Sequence, residues 1–167
     1  ERNRMTWDAH YQVDTPLADN MQTILSWQDS AAQDNGQTIR SDNGVRIRKT
    51  SYSERAWQGN VQADKTISMS PQWANKLTYG IDYVQTDTSS FADGSDPAPL
   101  PVFVPKKYFP DTRDTSQAIY LQSELISDAW SITPGLRLDR YSLEVLSQDG
   151  YFPTVATAPG KSLSGSA

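Results

Sequence analysis

Cysteine is absent from the 167 residues, and histidine occurs only once, as His10. The first absence excludes disulfides, thiolate catalysis and cysteine metal sites, and the second excludes histidine pairs. The signature motifs of serine hydrolases, P-loop proteins, dinucleotide-binding proteins and zinc proteases are also missing. With no nucleophile and base to pair, we predict that the protein is not an enzyme and has no catalytic residues and no metal site.

Long apolar runs and concentrations of positive charge are lacking as well. Mean hydropathy is -0.64, and no stretch approaches the roughly 18 apolar residues of a membrane helix. Fifteen lysines and arginines are dispersed among 20 acidic residues, which gives a net charge of -5. Because no basic stripe follows a predicted face, nucleic acid is not an expected partner.

Alternation of apolar and polar residues is the pattern that the chain does contain. It is clearest over residues 115–141, on both sides of a short turn at Ser127–Ala129. The apolar positions of one face are Ile119, Leu121, Leu125, Trp130, Ile132, Leu136 and Leu138. Glu124, Arg137 and Asp139 lie on the other face. Period two predicts a sheet with one apolar and one polar face.

Six such runs follow one another, and the connections between them alternate in length. The predicted strands are 4–14, 20–29, 46–68, 76–88, 115–126 and 130–146. Short turns join the first strand to the second, the third to the fourth and the fifth to the sixth. Long loops are predicted over about 30–45, 89–114 and 147–167. Outer-membrane barrels sort their connections in this way, with short periplasmic turns and long extracellular loops.

The fold class predicted for residues 1–167 is therefore all-β, an antiparallel meander of about six strands that forms part of a transmembrane barrel. Trp73 and Trp130 lie beside short turns, where an interfacial aromatic girdle is expected. A soluble β-sandwich with a wet face has the same alternation, and it stays open as an alternative at this point.

Several short motifs resemble one known family. Pro134–Tyr141, PGLRLDRY, resembles the strand that follows a periplasmic turn in TonB-dependent outer-membrane receptors, and Leu77–Tyr83, LTYGIDY, resembles a matching strand. Lys107–Thr112, followed by Ala118–Glu124, resembles the loop and strand of the haem and haemoglobin receptor branch. The matches cover about residues 50–145.

The resemblance implies an internal segment of a 22-stranded barrel in the bacterial outer membrane, in contact with its lipid. It also implies a receptor that imports haem, taken up free or from a haemoglobin-like donor, with energy from TonB through a plug domain. No plug is predicted within residues 1–167, and neither is the segment in which the haem branch places a ligating histidine. A receptor for a ferric siderophore is the alternative within the same fold.

Ligand-binding candidates under this resemblance are loop residues near aromatic pairs: Lys106, Lys107, Tyr108, Phe109, Tyr151 and Phe152. Tyrosine binds ferric haem iron through its phenolate, phenylalanine packs on the porphyrin, and lysine meets the propionates. The competing interpretation is that these residues anchor loops at the barrel rim. His10 is interpreted as a solvated residue of the polar face rather than a haem ligand.

Overall fold

The computed structural model describes residues 1–39, 44–95 and 105–151, and they form one antiparallel sheet of seven strands. The strands are β1 (Arg2–Gln12), β2 (Asn20–Ile39), β3 (Val45–Ser70), β4 (Trp73–Ser95), β5 (Asp111–Ser127), β6 (Ser131–Ile132) and β7 (Gly135–Ser147). Each strand from β1 to β5 pairs with the next along the chain. Within these ranges no helix is long and apolar enough to cross a membrane. The predicted all-β meander is confirmed.

The two last strands are one strand path that is interrupted at Pro134. Both pair with β5, and they share one register, because Leu125 lies opposite Ile132 and Gln122 lies opposite Gly135. In the gap Ser123 N donates a hydrogen bond of 3.0 Å to Pro134 O. Because proline has no N–H, Pro134 cannot donate a hydrogen bond to β5 in return, and the ladder lacks one bond at this position.

Short connections lie at one edge of the sheet, which we call the turn edge. It carries residues 13–19, 71–72 and 128–130. At the opposite edge, called the loop edge, β2 ends and β3 begins, and β4 ends and β5 begins.

Strands extend further toward the loop edge than the predicted loops allow. β2 runs to Ile39 and β3 starts at Val45, so most of the expected 30–45 loop is strand. β4 likewise continues to Ser95, and β5 begins at Asp111, inside the expected 89–114 loop. The alternation disappears in these extensions because both faces are polar, yet the backbone ladder continues, since its bonds do not depend on side-chain polarity. Most of the expected 147–167 loop lies outside the described residues.

The sheet is a single layer with almost no core. Only small side chains are buried, such as Ala63 and Ala118, and no large side chain among the described residues is fully buried. Ile119 and Leu138 are 55% and 51% exposed. The described residues form no second sheet that could cover the apolar face, which argues against the sandwich alternative. A barrel wall explains the exposure, because lipid covers such a face.

The apolar band crosses this face obliquely. On β2 and β3 it ends toward the loop edge at the paired Trp27 and Trp57. On β5 and β7 it ends at the paired Ile119 and Leu138. The row of paired residues that contains them also includes Val61 on β3, which lies four residues closer to the turn edge than Trp57. With strands about 4.8 Å apart and about 3.4 Å per residue, this slope corresponds to a strand tilt of about 30–40°. Membrane barrels have a similar tilt.

Tryptophan pairs mark the two limits of the band. The Trp73 and Trp130 rings meet edge to face at the turn edge, with centroids 4.9 Å apart. Trp27 and Trp57 lie toward the loop edge, with centroids 6.3 Å apart. The pair at the turn edge lies where the sequence predicted an aromatic girdle.

The β1–β2 turn is tied to β3 by charge-assisted hydrogen bonds. Asp19 accepts bonds from Lys65 Nζ and from Thr66 N. The bond from Lys65, followed by the one from Thr66, lowers the pKa of the Asp19 carboxyl. Tyr79 Oη donates to Leu17 O at 2.8 Å and holds the same turn from β4.

Candidate functional site

The segment that begins at Pro105 folds back onto the polar face of β3 and β4 at the loop edge. Ala92 and Lys106 form an antiparallel bridge, with N–H···O bonds of 2.7 and 2.8 Å in the two directions. Ser90 Oγ lies 3.2 Å from Tyr108 N and accepts its hydrogen bond. Ser90 and Ala92 are only 4% exposed. The segment therefore has a fixed seat at the rim, and its side chains divide into two groups.

Lys107 and Phe109 face inward and anchor the segment. Lys107 Nζ donates to Asp111 Oδ2 at 2.6 Å, and its side chain is 16% exposed. The Phe109 ring packs edge to face on Tyr52, with centroids 6.1 Å apart. These contacts hold the loop and leave little surface of Lys107 for a ligand.

Lys106 and Tyr108 form the accessible part of the segment. The Tyr108 side chain is 52% exposed, and Lys106 Nζ lies 5.4 Å from the centroid of its ring, in a cation–π contact. Both residues line a small groove at the loop edge, together with Arg46, Arg48 and Asp93. Among the described residues of the lining, three side chains are cationic and one is a carboxylate, and an exposed phenol lies on the border of the groove.

Tyr151 is brought beside this segment by the backbone. Lys107 N donates to Gly150 O at 2.6 Å, and Lys107 and Tyr151 form a parallel bridge. The Tyr151 side chain is half-buried. Phe152, the last of the predicted ligand-binding residues, lies outside the described part of the chain.

His10 lies far from these residues, at the turn-edge end of β1. Its Nε2 is 3.4 Å from Asp8 Oδ1 and 3.4 Å from Gln22 Nε2. Across the described ranges, no group of three or more histidine and acidic side chains is arranged to hold a metal ion. Tyr108 and His10 are thus at opposite edges of the sheet and do not form one ligand set.

A polar network on β3, β4, β5 and β7 occupies the same face nearer the middle of the sheet. Arg137 donates to Asp82 at 2.7 Å and to Asp139 at 2.9 Å. Its guanidinium also lies 5.8 Å from the centroid of the Tyr120 ring. Tyr120 Oη donates to Gln62 Oε1 at 3.0 Å. The network joins four strands, and its charged side chains pair with one another. We therefore interpret it as a set of contacts that stabilises the wall.

Two features of the polar face were not predicted from the sequence. Arg46 and Arg48 fall at or beyond the border of an expected loop, and only the long β3 strand aligns them toward the groove. Tyr120 reaches Gln62 because Gly80 lies between them in the register. A glycine paired with a large aromatic residue on the neighbouring strand predicts such a contact, but this pairing is visible only when the strand register is known.

A family model described as "TonB dependent receptor-like, beta-barrel" matches residues 1–167, the whole chain. A comparison with curated proteins gives no significant match. The family and the fold agree, because a barrel wall has a tilted antiparallel meander, an outward apolar band and short turns along one edge. The chain belongs to the TonB-dependent receptor β-barrel family.

Proposed function

We propose that this segment is part of a receptor that captures haem, free or from a haem-protein donor, and imports it. Family membership places the chain in the bacterial outer membrane and implies transport coupled to TonB. The short turns then face the periplasm and the loop edge faces the outside. Ligand capture accordingly belongs to the loop edge, where Lys106 and Tyr108 lie.

One observation carries the proposal: an exposed tyrosine stands beside a lysine on a cationic groove at this edge. A phenolate is an axial ligand of ferric haem, and cations make strong hydrogen bonds to carboxylates such as the haem propionates. Lys106 and Arg48 suit the propionates, while Tyr108 suits the iron. The resemblance of residues 107–112 and 118–124 to the haem branch supports the same ligand.

A ferric siderophore is the second candidate, and the cationic groove favours it as well. Many iron chelates are anionic, and Arg48 and Lys106 attract an anion without any contribution from Tyr108. The two candidates differ in what they require of the phenol. Haem needs an iron ligand, whereas a siderophore already saturates the iron.

The test is haem titration of the purified receptor, followed through the Soret band. A saturable Soret shift is expected for the unmodified receptor. Tyr108→Phe should weaken haem binding by about tenfold or more, which corresponds to about 1.4 kcal/mol. Lys106→Gln should have a smaller effect, because other cations remain in the groove. Tyr11→Phe, near the turn edge, is the matched control and should leave the titration unchanged.

Absence of a Soret shift in the unmodified receptor would remove the haem proposal. If a ferric siderophore then quenches tryptophan fluorescence and Tyr108→Phe has no effect on that quenching, the second candidate replaces the first. An unaltered haem affinity in Tyr108→Phe would show that this tyrosine is not the ligand.

A further inference from the structure

A row of alternating charges crosses the face of the sheet that carries the apolar band, which we call the outward face. The row lies just beyond the band on β2 and β3, where Asp29 and Arg55 are each two residues nearer the loop edge than Trp27 and Trp57. In the order of strand pairing, its members are Asp29, Arg55, Asp87, Arg113 and Glu144. Opposite charges are therefore neighbours at every step of the row.

One neighbouring pair of this row, on β4 and β5, is joined more tightly than the others. Arg113 donates from Nε to Asp87 Oδ1 at 2.6 Å and from Nη2 to Asp87 Oδ2 at 2.8 Å. Two parallel bonds of this kind are the strong, bidentate form of an arginine–carboxylate pair. The contact between Arg55 and Asp29 is longer, at 3.5 Å. Within the described ranges, the remaining neighbours in the row form no ion pair with each other.

The Asp87–Arg113 pair lies where β4 and β5 separate. Their pairing ends one residue further toward the loop edge, at Thr88 and Thr112. Beyond this point β4 continues beside β3, whereas residues 105–110, here called the rim segment, turn inward onto the polar face. The pair is therefore the last contact between β4 and β5 on the outward face before the two strands diverge in a fork.

The same pair distinguishes the observed register of β4 and β5 from its nearest alternatives. A slip by two residues keeps every side chain on its face, so the apolar band does not oppose it strongly. After such a slip Asp87 would lie opposite Thr115 in one direction and opposite Asp111 in the other. The first alternative loses the ion pair, and the second places two carboxylates together. Strand ends at Ser95 and Asp111 also leave a connection too long for a tight turn to set the register.

Both anchors of the rim segment lie close to this pair along the chain. Ser90, which accepts the hydrogen bond from Tyr108 N, is three residues beyond the carboxylate of the pair on β4. Asp111, which binds Lys107 Nζ at 2.6 Å, is two residues before its arginine on β5. The distance between the two anchors thus depends on how β4 and β5 are held together at the fork.

We propose that Asp87 and Arg113 form a clasp that closes the fork and thereby positions Lys106 and Tyr108. Both members of the clasp lie on the outward face, whereas the groove beside Tyr108 opens on the polar face, so they are positioning residues without contact to a ligand. The effect of the clasp on haem binding rests on the proposed function. Its effect on the rim segment does not.

Limited proteolysis of the purified receptor with a lysine-specific endoproteinase tests the clasp, because Lys106 and Lys107 are cleavage sites inside the rim segment. Mass spectrometry identifies this cleavage, whose rate follows the population in which the segment is locally open. Asp87→Asn and Arg113→Gln should each raise the rate by about fivefold, the upper end of the range for an exposed ion pair. The double variant should raise it no further, since both changes remove the same contact.

Asp29→Asn is the matched control, because it removes a carboxylate of the same row on β2, away from the fork. It should leave the cleavage rate unchanged. Unaltered cleavage in Asp87→Asn and Arg113→Gln would overturn the proposal, and so would additive effects in the double variant. Heat-modifiable electrophoretic mobility shows that each variant has folded.

Haem titration of the same variants separates the clasp from the proposed function. Asp87→Asn should weaken haem binding without moving the Soret maximum, because Tyr108 is still present as the iron ligand. Faster cleavage together with unaltered haem affinity would support the clasp and contradict the assignment of Tyr108 to haem.

Discussion

Gly80 shows how a single residue without a side chain shapes the inner wall of the barrel. The Tyr120 ring lies across the β4 backbone at this position and reaches Gln62 on β3. A Cβ on Gly80 would overlap Tyr120 and would lie 2.5 Å from Val61 O. The glycine is therefore required by a close approach, and its backbone conformation is not the reason.

Gly80→Ala is expected to destabilise the barrel by about 1–3 kcal/mol, the usual cost of forcing atoms into an occupied space. The Tyr120 ring must move and gives up its hydrogen bond to Gln62. Chemical denaturation of the receptor in detergent micelles, followed by tryptophan fluorescence, measures the change.

Gly135→Ala is the control for this substitution. A Cβ at Gly135 would meet its nearest atom, Leu121 O, at 3.7 Å, an ordinary contact. Its effect on the denaturation midpoint should be small. Equal losses at Gly80 and Gly135 would show that Tyr120 does not depend on the missing side chain.

At the scale of the element, β5 has different solvents on its two faces. Leu121 pairs with Tyr79 and Leu136 on the apolar face, and its neighbour Gln122 pairs with Thr78 and Gly135 on the polar face. Since side chains alternate strictly along a strand, one of two adjacent residues faces the lipid and the other faces the lumen.

Leu121→Arg is expected to destabilise the folded barrel by about 2–4 kcal/mol, because it places a charge inside the apolar band. Leu138→Arg lies at the outer limit of the band and should cost about 0–1 kcal/mol. Gln122→Arg should be tolerated, since its side chain enters the polar lumen. The comparison uses the yield of heat-modifiable receptor after refolding into lipid vesicles. Similar losses at positions 121 and 122 would contradict the assignment of the faces.

Strand existence and strand faces were largely predictable, as were the loop-edge ends of β3 and β7, whereas the loop-edge ends of β2, β4 and β5 were not. From Trp57 to Ile67 and from Leu77 to Tyr83 the apolar positions keep period two, because one side of the wall meets lipid. Between Ala31 and Ile39 both faces of β2 meet water, so the sequence carries no alternation even though the ladder continues. Turn-forming residues such as Asn35-Gly36 then predict a loop where the register with β3 keeps a strand.

The two outermost strands of the sheet each have one unpaired side, since β1 pairs only with β2 and β7 only with β5 within the described ranges. Unpaired strand edges are not tolerated in hydrocarbon. The wall is consequently one part of a closed barrel, and its long strands project beyond the membrane on the loop side only. This asymmetry fixes the direction in which the barrel is inserted.

Insertion of the whole molecule can be tested with cysteines, because residues 1–167 contain none. Gly36→Cys lies near the loop edge, and no atom comes within 4 Å of its added Cβ. A membrane-impermeant maleimide should label it on intact cells. Gln72→Cys, in the β3–β4 turn, should be labelled only after the outer membrane is permeabilised. The receptor without an added cysteine gives the background, and a reversed result would invert the orientation.

For the candidate ligand residues, the sequence predicts the segment that contains them but does not distinguish the roles of its side chains. Four neighbouring residues, Lys106 to Phe109, looked alike as lysines and aromatics in a loop. The structure directs Lys107 to Asp111 and Phe109 to Tyr52, and leaves Tyr108 exposed beside Lys106. Which side of a loop a residue occupies depends on what the loop packs against, and neighbouring residues do not specify that.

The sequence by itself determined the fold class, the two faces and the sorting of short turns to one edge, because all three follow from local alternation and local turn chemistry. Only the tertiary structure decided the strand register, since pairing joins residues far apart in the chain. The register sets the tilt of the apolar band and places the Tyr120 ring over Gly80. It also brings the β3 arginines and Lys106 to the same groove. Contacts between distant strands are properties of the assembled wall, and no single segment encodes them.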